Sequence, residues 1–247
     1  MRFVKFFLLF VALAFVAPMA AAAGWWATVD RPGSWRSANW SATGLLPAPA
    51  ENTDAAIYVL SARTGGFKGA FSVHSWIVVK DSGASHYERY EKVGWGSPIR
   101  QDAYAADAAW YSNRPWIVAK LNGQSAEAAL SQVRKAIATY PFNHRGDYRI
   151  WPGPNSNSFI AHVLREAPAL DAVLPPNAVG RDYLASGDWF SVDPDGRDLH
   201  VSLAGLIGLS AGLRSGLEFH LLGQTAGFDI RRPALKIPAV GRVGVDL

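Results

Sequence analysis

The sequence predicts an α+β fold, an antiparallel sheet meander packed against a few helices. Three observations predict it. Short runs of β-branched and aromatic residues, parted by glycine turns, fill residues 55–94. Apolar residues then recur at helical spacing between Ser125 and Tyr140, and a shorter helical stretch follows. From about Leu199 the chain becomes glycine-rich and apolar, again in short stretches. With 247 residues, 49% hydrophobic and 18% charged, the chain can bury a core and is too apolar to stay disordered. No internal repeat or linker divides it, so residues 24–247 read as a single domain.

The N-terminus reads as a targeting signal. Arg2 and Lys5 precede a continuous apolar run, Phe6 to Ala17, and the small residues Ala20 to Ala23 follow. The expectation is a signal peptide over 1–23, a mature N-terminus at Gly24 and an exported, periplasmic protein. No charge appears between Lys5 and Asp30, so an uncleaved segment anchored in the inner membrane is the alternative. Without Arg2 and Lys5 the chain keeps 22 basic against 20 acidic residues, and no Lys/Arg stripe runs along it. Nucleic acid is therefore not an expected partner. The absence of cysteine excludes a lipoprotein anchor, disulfides and a thiol nucleophile.

The elements follow in order. Gly24–Pro49 is an irregular lead-in with a short helix expected near Ser34–Trp40. Ala55–Ala62, Ala70–Lys80 and Tyr87–Gly94 are strand candidates, separated by Gly65, Gly66 and Gly69 and by the turn Asp81–Ser85. Trp95–Pro115 is a long, aromatic connection. Ser125 is placed to cap the first helix, whose apolar face carries Ala126, Ala129, Leu130, Val133, Ile137 and Tyr140 before Pro141 stops it. A Gly/Pro/Asn loop leads to a second helix from about Asn157 to Ala167. The tail reads as alternating strands with glycine turns.

Two stretches can carry chemistry. One is Val73-His74-Ser75-Trp76 inside a strand; the other is Trp151-Pro152-Gly153-Pro154-Asn155-Ser156-Asn157-Ser158-Phe159 at a loop-to-helix junction. Pro, Gly and Asn set a tight turn there, leaving a hydroxyl at the positive end of a helix. A hydroxyl so placed, with an imidazole from a neighbouring strand, is a minimal nucleophile–base pair. Glu91 is the candidate to orient His74, with Glu88 the alternative; three residues apart on a strand, they face opposite sides. Trp76, Asn155, Asn157 and Ser158 are the candidate binding residues. Each has a structural reading as well: Asn and Ser are good helix caps, a strand histidine can be satisfied in a core, and the glutamates can pair with Arg89 or Lys92.

No metal or cofactor is expected. His86, His144, His162, His200 and His220 are scattered without ligand spacing, and no phosphate-binding glycine loop is present. The run Asp193-Pro194-Asp195-Gly196-Arg197-Asp198 lacks the remaining ligands of a calcium loop and reads as a turn.

The segments HSW, YERYEKVGWG, NRPW, YRIWPGPNSNSFIAHVL and LPPNAVGRDYL together resemble a bacterial envelope family of unknown function, most specifically in PGPNSNSF. The same frame is more distantly similar to circularly permuted papain-like hydrolases of the NlpC type. In those, a strand histidine precedes a nucleophilic cysteine at a helix N-terminus. The resemblance implies a permuted papain-like core, with His74 in the histidine position and Ser156 in the cysteine position. A serine there is far less acidic than a thiol and needs a held base and a strong oxyanion site, which the helix-start amides would supply.

Three functions follow as expectations. The first is a non-catalytic or weakly catalytic module that binds an envelope component, whether peptide, cell-wall or lipid-linked. The second is a serine-dependent amide or ester hydrolase or acyltransferase using Ser156 and His74. The third is a membrane-associated structural protein that makes peripheral membrane contact through its tail. The first two require His74 and Ser156 to meet in the fold, 82 residues apart in sequence.

Overall fold

The structure is a computed structural model and describes residues 2–185 and 187–245. The chain opens in one continuous helix: α1 (Arg2–Val11), a π-helical turn over Ala12–Val16, and α2 (Ala17–Thr28). The wider turn precedes Pro18, which cannot donate to the helical ladder. The helix runs 27 residues and contains an 18-residue window with a mean hydropathy of 2.4, long and apolar enough to cross a membrane. It therefore continues well past the apolar core that the sequence marks out. Its last turn is bound to the rest of the protein: Trp26 is buried and its indole N–H donates to the Gly66 carbonyl at 2.9 Å.

The lead-in that follows forms turns instead of the helix expected near Ser34–Trp40. Ser34 and Ser37 bond to each other's backbone there, which competes with helical hydrogen bonds. Five strands come next: β1 (Ala56–Arg63), β2 (Val73–Lys80), β3 (Glu88–Lys92), β4 (Ile99–Gln101) and β5 (Trp116–Asn122). They form one antiparallel sheet in the order β4-β3-β2-β1-β5. The first three are the expected meander. The short β4 arises inside the stretch expected to be only a connection.

Helix α3 (Gln124–Ala138) follows β5 directly. Gly123, at φ +58°, makes the turn, so the cap is a glycine and not Ser125. Helix α4 (Ser156–Glu166) is capped by Asn155. Both helices cover one face of the sheet, burying Ile57, Val59, Ile77 and Val79 against Val133, Ile137, Phe159 and Val163. Lead-in and connection residues cover the other face, where Tyr58, Leu60, Trp76 and Val78 meet Trp110, Trp40 and Tyr111. Because both faces are covered, every residue of β2 is buried.

The tail builds a second antiparallel sheet of seven strands in sequence order: β6 (Phe190–Val192), β7 (Asp198–Leu203), β8 (Ile207–Gly212), β9 (Gly216–Leu221), β10 (Gln224–Asp229), β11 (Ala234–Ile237) and β12 (Gly241–Gly244). The architecture is α+β. Buried polar contacts join the two parts: Arg181 pairs with Glu218 at 2.8 Å, and the Gln224 amide donates to the Phe71 carbonyl at 2.9 Å.

Candidate functional site

The site forms where β2 begins and α4 begins. Side chains alternate along β2. Val73, Ile77 and Val79 point beneath the helices, and Trp76 and Val78 point to the opposite core. His74 shares the parity of Trp76. Its ring lies flat on Trp110, 3.7 Å between centroids with an interplanar angle of 9°. Helix α4 lies on the other face and is tied to the same strand end, because the Asn157 side chain donates to the Val73 carbonyl at 2.9 Å. His74 and Ser156 therefore line one cavity of about 880 Å³, reaching it from opposite faces around the end of β2. No hydrogen bond joins them among the described residues.

Behind His74 stands a buried charge network. Its Nε2 is 2.8 Å from Glu91, which also accepts from Arg89 at 2.9 Å and lies 3.5 Å from Arg100. Burial opposes a charge on Glu91, but the hydrogen bond to His74 and the Arg89 guanidinium outweigh it and hold the carboxyl at about 2. Glu91 is therefore an ionised acceptor, and Nε2 carries the proton. Burial moves the His74 pKa downward, as do the charges of Arg89 and Arg100, against the pull of Glu91, so the ring is neutral at pH 7. Its Nδ1 is then an acceptor. That atom makes no hydrogen bond among the described residues and is not sealed in the core.

Ser156 is the first residue of α4 and is buried, yet neither its hydroxyl nor its amide makes a hydrogen bond among the described residues. The neighbouring helix-start amides are not free. Those of Asn157 and Ser158 donate to the Asn155 side chain at 2.9 and 3.1 Å. Of the oxyanion donors expected from the helix start, the Ser156 amide is the one left open. Gly180 lets the chain pass this cap: at φ +93°, a Cβ there would lie 2.4 Å from the Asn155 amide nitrogen.

The other candidates fall to structural duties. Asn155 caps α4 and donates to the carbonyls of Ile150 and Val179. Ser158 closes the capping box and bonds to the Tyr140 hydroxyl at 3.0 Å. Trp76 is fully buried, with its indole N–H on the Ala106 carbonyl and Arg89 over its ring, and it does not line the cavity. Glu88 lies on the helical face of β3, paired with Arg134 at 2.8 Å and far from the His74 side. Asn157 does line the cavity, although its amide nitrogen is held by Val73 and Val179.

Sequence reasoning did not single out Trp110 or Tyr148, and it placed Arg89 only as a partner for the glutamates. Arg89 had a local signal, because it shares the strand parity of Glu91. Trp110 had none, being one aromatic among several in a long connection.

One further group among the described residues could in principle gather a metal: Asp193, Asp198 and His200. Its atoms are already committed. Asp193 holds His200 at 3.0 Å and Arg214 at 2.9 Å, and Asp198 accepts from the Arg214 and Ser215 amides and the Ser215 hydroxyl. The arrangement pins a turn onto a sheet and does not leave a cation an open ligand set.

Fold and site together define an α+β protein with an aromatic-walled cavity at the end of a sheet covered on both faces, furnished with a neutral histidine and a helix-start serine. The chain belongs to the family described as "Protein of unknown function (DUF3750)", which matches residues 54–183, just over half of the chain. The matched segment contains β1 to β5, α3, α4 and every residue of the His74 network. No curated protein and no solved structure matches the chain.

Proposed function

We propose that the cavity binds an apolar molecule that carries an amide or ester group, and that the protein works as an exported binding module of the cell envelope. The single observation behind this reading is a set of unused polar atoms in an apolar wall. The His74 Nδ1 accepts, the Ser156 amide donates and the Ser156 hydroxyl can do both. None is used by the fold, and Trp95, Tyr148, Ile150 and Trp151 line the same space. Binding sites of this kind pair apolar walls with a few convergent polar groups. An amide matches them, offering an N–H to His74 and a carbonyl to Ser156. The apolar N-terminal helix supports export, as either a signal or an anchor.

Catalysis is the second reading, favoured by the buried, ionised Glu91 behind the neutral His74. In that reading Ser156 attacks a carbonyl, Nδ1 takes its proton, and the Ser156 amide holds the oxyanion.

The test titrates the full chain with N-acyl dipeptide amides of increasing acyl length, following tryptophan fluorescence. His74→Ala and Ser156→Ala should each weaken binding about tenfold, the effect of one lost hydrogen bond of ~1.4 kcal/mol. Affinity that ignores both substitutions would refute the site. Ser156→Cys separates the two readings, because the chain has no other cysteine. A thiol that reacts with iodoacetamide faster than free cysteine, and slows when His74 is replaced, establishes the activated nucleophile. A thiol that behaves as free cysteine leaves the binding reading.

A further inference from the structure

The seven-stranded sheet lies outside the family segment, and its polarity is inverted. Residues directly opposite one another across β7 to β12 form rows. One row is His200, Ser210, Glu218, Gly227, Lys236 and Arg242. The adjacent row, which by strand alternation lies on the other face, is Leu199, Ala211, Leu217, Phe228, Leu235 and Val243. A water-facing sheet buries the second kind of row and exposes the first. Here the reverse holds. Glu218 is 1% exposed and Lys236 3%, while Leu217 is 42%, Leu235 60% and Val243 54% exposed. The buried charges are tolerated because they are paired: Glu218 bonds to both Arg181 and Lys236.

The apolar face is continuous with a second apolar surface. The N-terminal helix lies against it through Phe10 and Phe15, whose rings meet Phe219 edge-on at 5.8 and 5.9 Å. The helix covers only part of the sheet and leaves its own Phe3, Phe6, Leu8 and Leu13 exposed. Sheet and helix thus present one continuous apolar surface, the kind of patch that marks an interaction or membrane site.

We infer that the outer face of the β6–β12 sheet, together with the N-terminal helix, rests in the acyl-chain region of a lipid bilayer. The occupant is lipid and not a second copy because the same surface includes a helix that is apolar, largely unburied and of membrane-spanning length. Within the sheet the ladder satisfies the backbone groups, so only outer-face side chains need touch the acyl chains, while the edge strands β6 and β12 stay at headgroup level, where water satisfies their open groups. The polar inner face then stays turned toward the cavity-bearing half of the protein. This inference stands apart from the reading of the His74 site, and either can fail alone.

The test uses the absence of native cysteine. Full-length Leu217→Cys and Leu235→Cys carry a polarity-sensitive fluorophore on the outer face, and Ser82→Cys carries it on an exposed turn of the first sheet. Each is reconstituted in vesicles of phosphatidylethanolamine and phosphatidylglycerol containing acyl-chain nitroxide lipids. The labels at positions 217 and 235 should shift to the blue and lose most of their emission, and the label at 82 should do neither. Outer-face labels quenched no more than the one at 82 would overturn the inference. So would outer-face labels shielded from nitroxide while the protein runs as a dimer, which would assign the face to a second copy.

Discussion

Glu91→Gln is the most informative single change at the site. The carboxyl is 1% exposed and has three basic neighbours, His74, Arg89 and Arg100. Its pKa falls from an ordinary 4.5 to about 2. At about 1.36 kcal/mol per pKa unit, that difference is worth on the order of 3 kcal/mol of folding stability at neutral pH. The same figure follows from the cost of removing one partner of a buried ion pair, ~3–5 kcal/mol, because the neutral amide would leave Arg89 buried without its counter-charge. The two figures describe one interaction and do not add. Because the folded pKa is depressed, the contribution is complete above the unfolded value near 4.5 and is lost as pH falls toward 2. Urea denaturation of parent and variant at pH 7, 5, 4 and 3 measures this. The variant should be less stable by about 3 kcal/mol at pH 7, with the gap narrowing below pH 4.5 as the parent loses the Glu91 contribution that the variant lacks. Acid sensitivity should persist in part in the variant, since burial of Glu218 is outweighed by the charges of Arg181 and Lys236, which hold that carboxyl at about 2 as well. A gap that stays constant from pH 7 to 3 would refute an ionised, buried Glu91.

Two further outcomes test the scaffold. Val133→Asp places a charge in the fully buried core between α3 and the sheet, and should cost on the order of 3–5 kcal/mol; an unchanged thermal melt would refute the orientation of α3. Asn155→Ala removes the cap of α4 and two side-chain hydrogen bonds, and should cost about 2–3 kcal/mol, with Asn155→Asp intermediate because it keeps the cap acceptor. Equal melting of parent and both variants would show that the cap does not hold the Ser156 end of the helix.

Local periodicity carried much of the fold. The strands around 57–62, 73–80 and 88–92, the two helices and the strand-rich tail were legible because alternation and the 3.6-residue repeat are properties of neighbours in sequence. So was the opposition of Glu88 and Glu91, which strand geometry alone sends to different faces; the partners each face offers then separate them, Arg134 for one and His74 for the other. The helix starts were less legible. Ser125 looked like a cap, but β5 runs so close to α3 that a left-handed Gly123 has to make the turn. Trp76 looked like a binding residue, but a connection folding over that face of the sheet buries it completely.

By itself, then, the sequence determined an apolar N-terminal segment, an α+β chain without cysteine chemistry, and the residue types at the two strand and helix ends that meet. Tertiary structure alone decided that His74 faces away from α4 and stacks on Trp110, that Asn155 consumes most of the helix-start amides, and that the tail sheet buries its charges and exposes its leucines. Alternation along a strand says which residues share a face. It does not say which face is covered, because the covering residues arrive from segments tens of residues away.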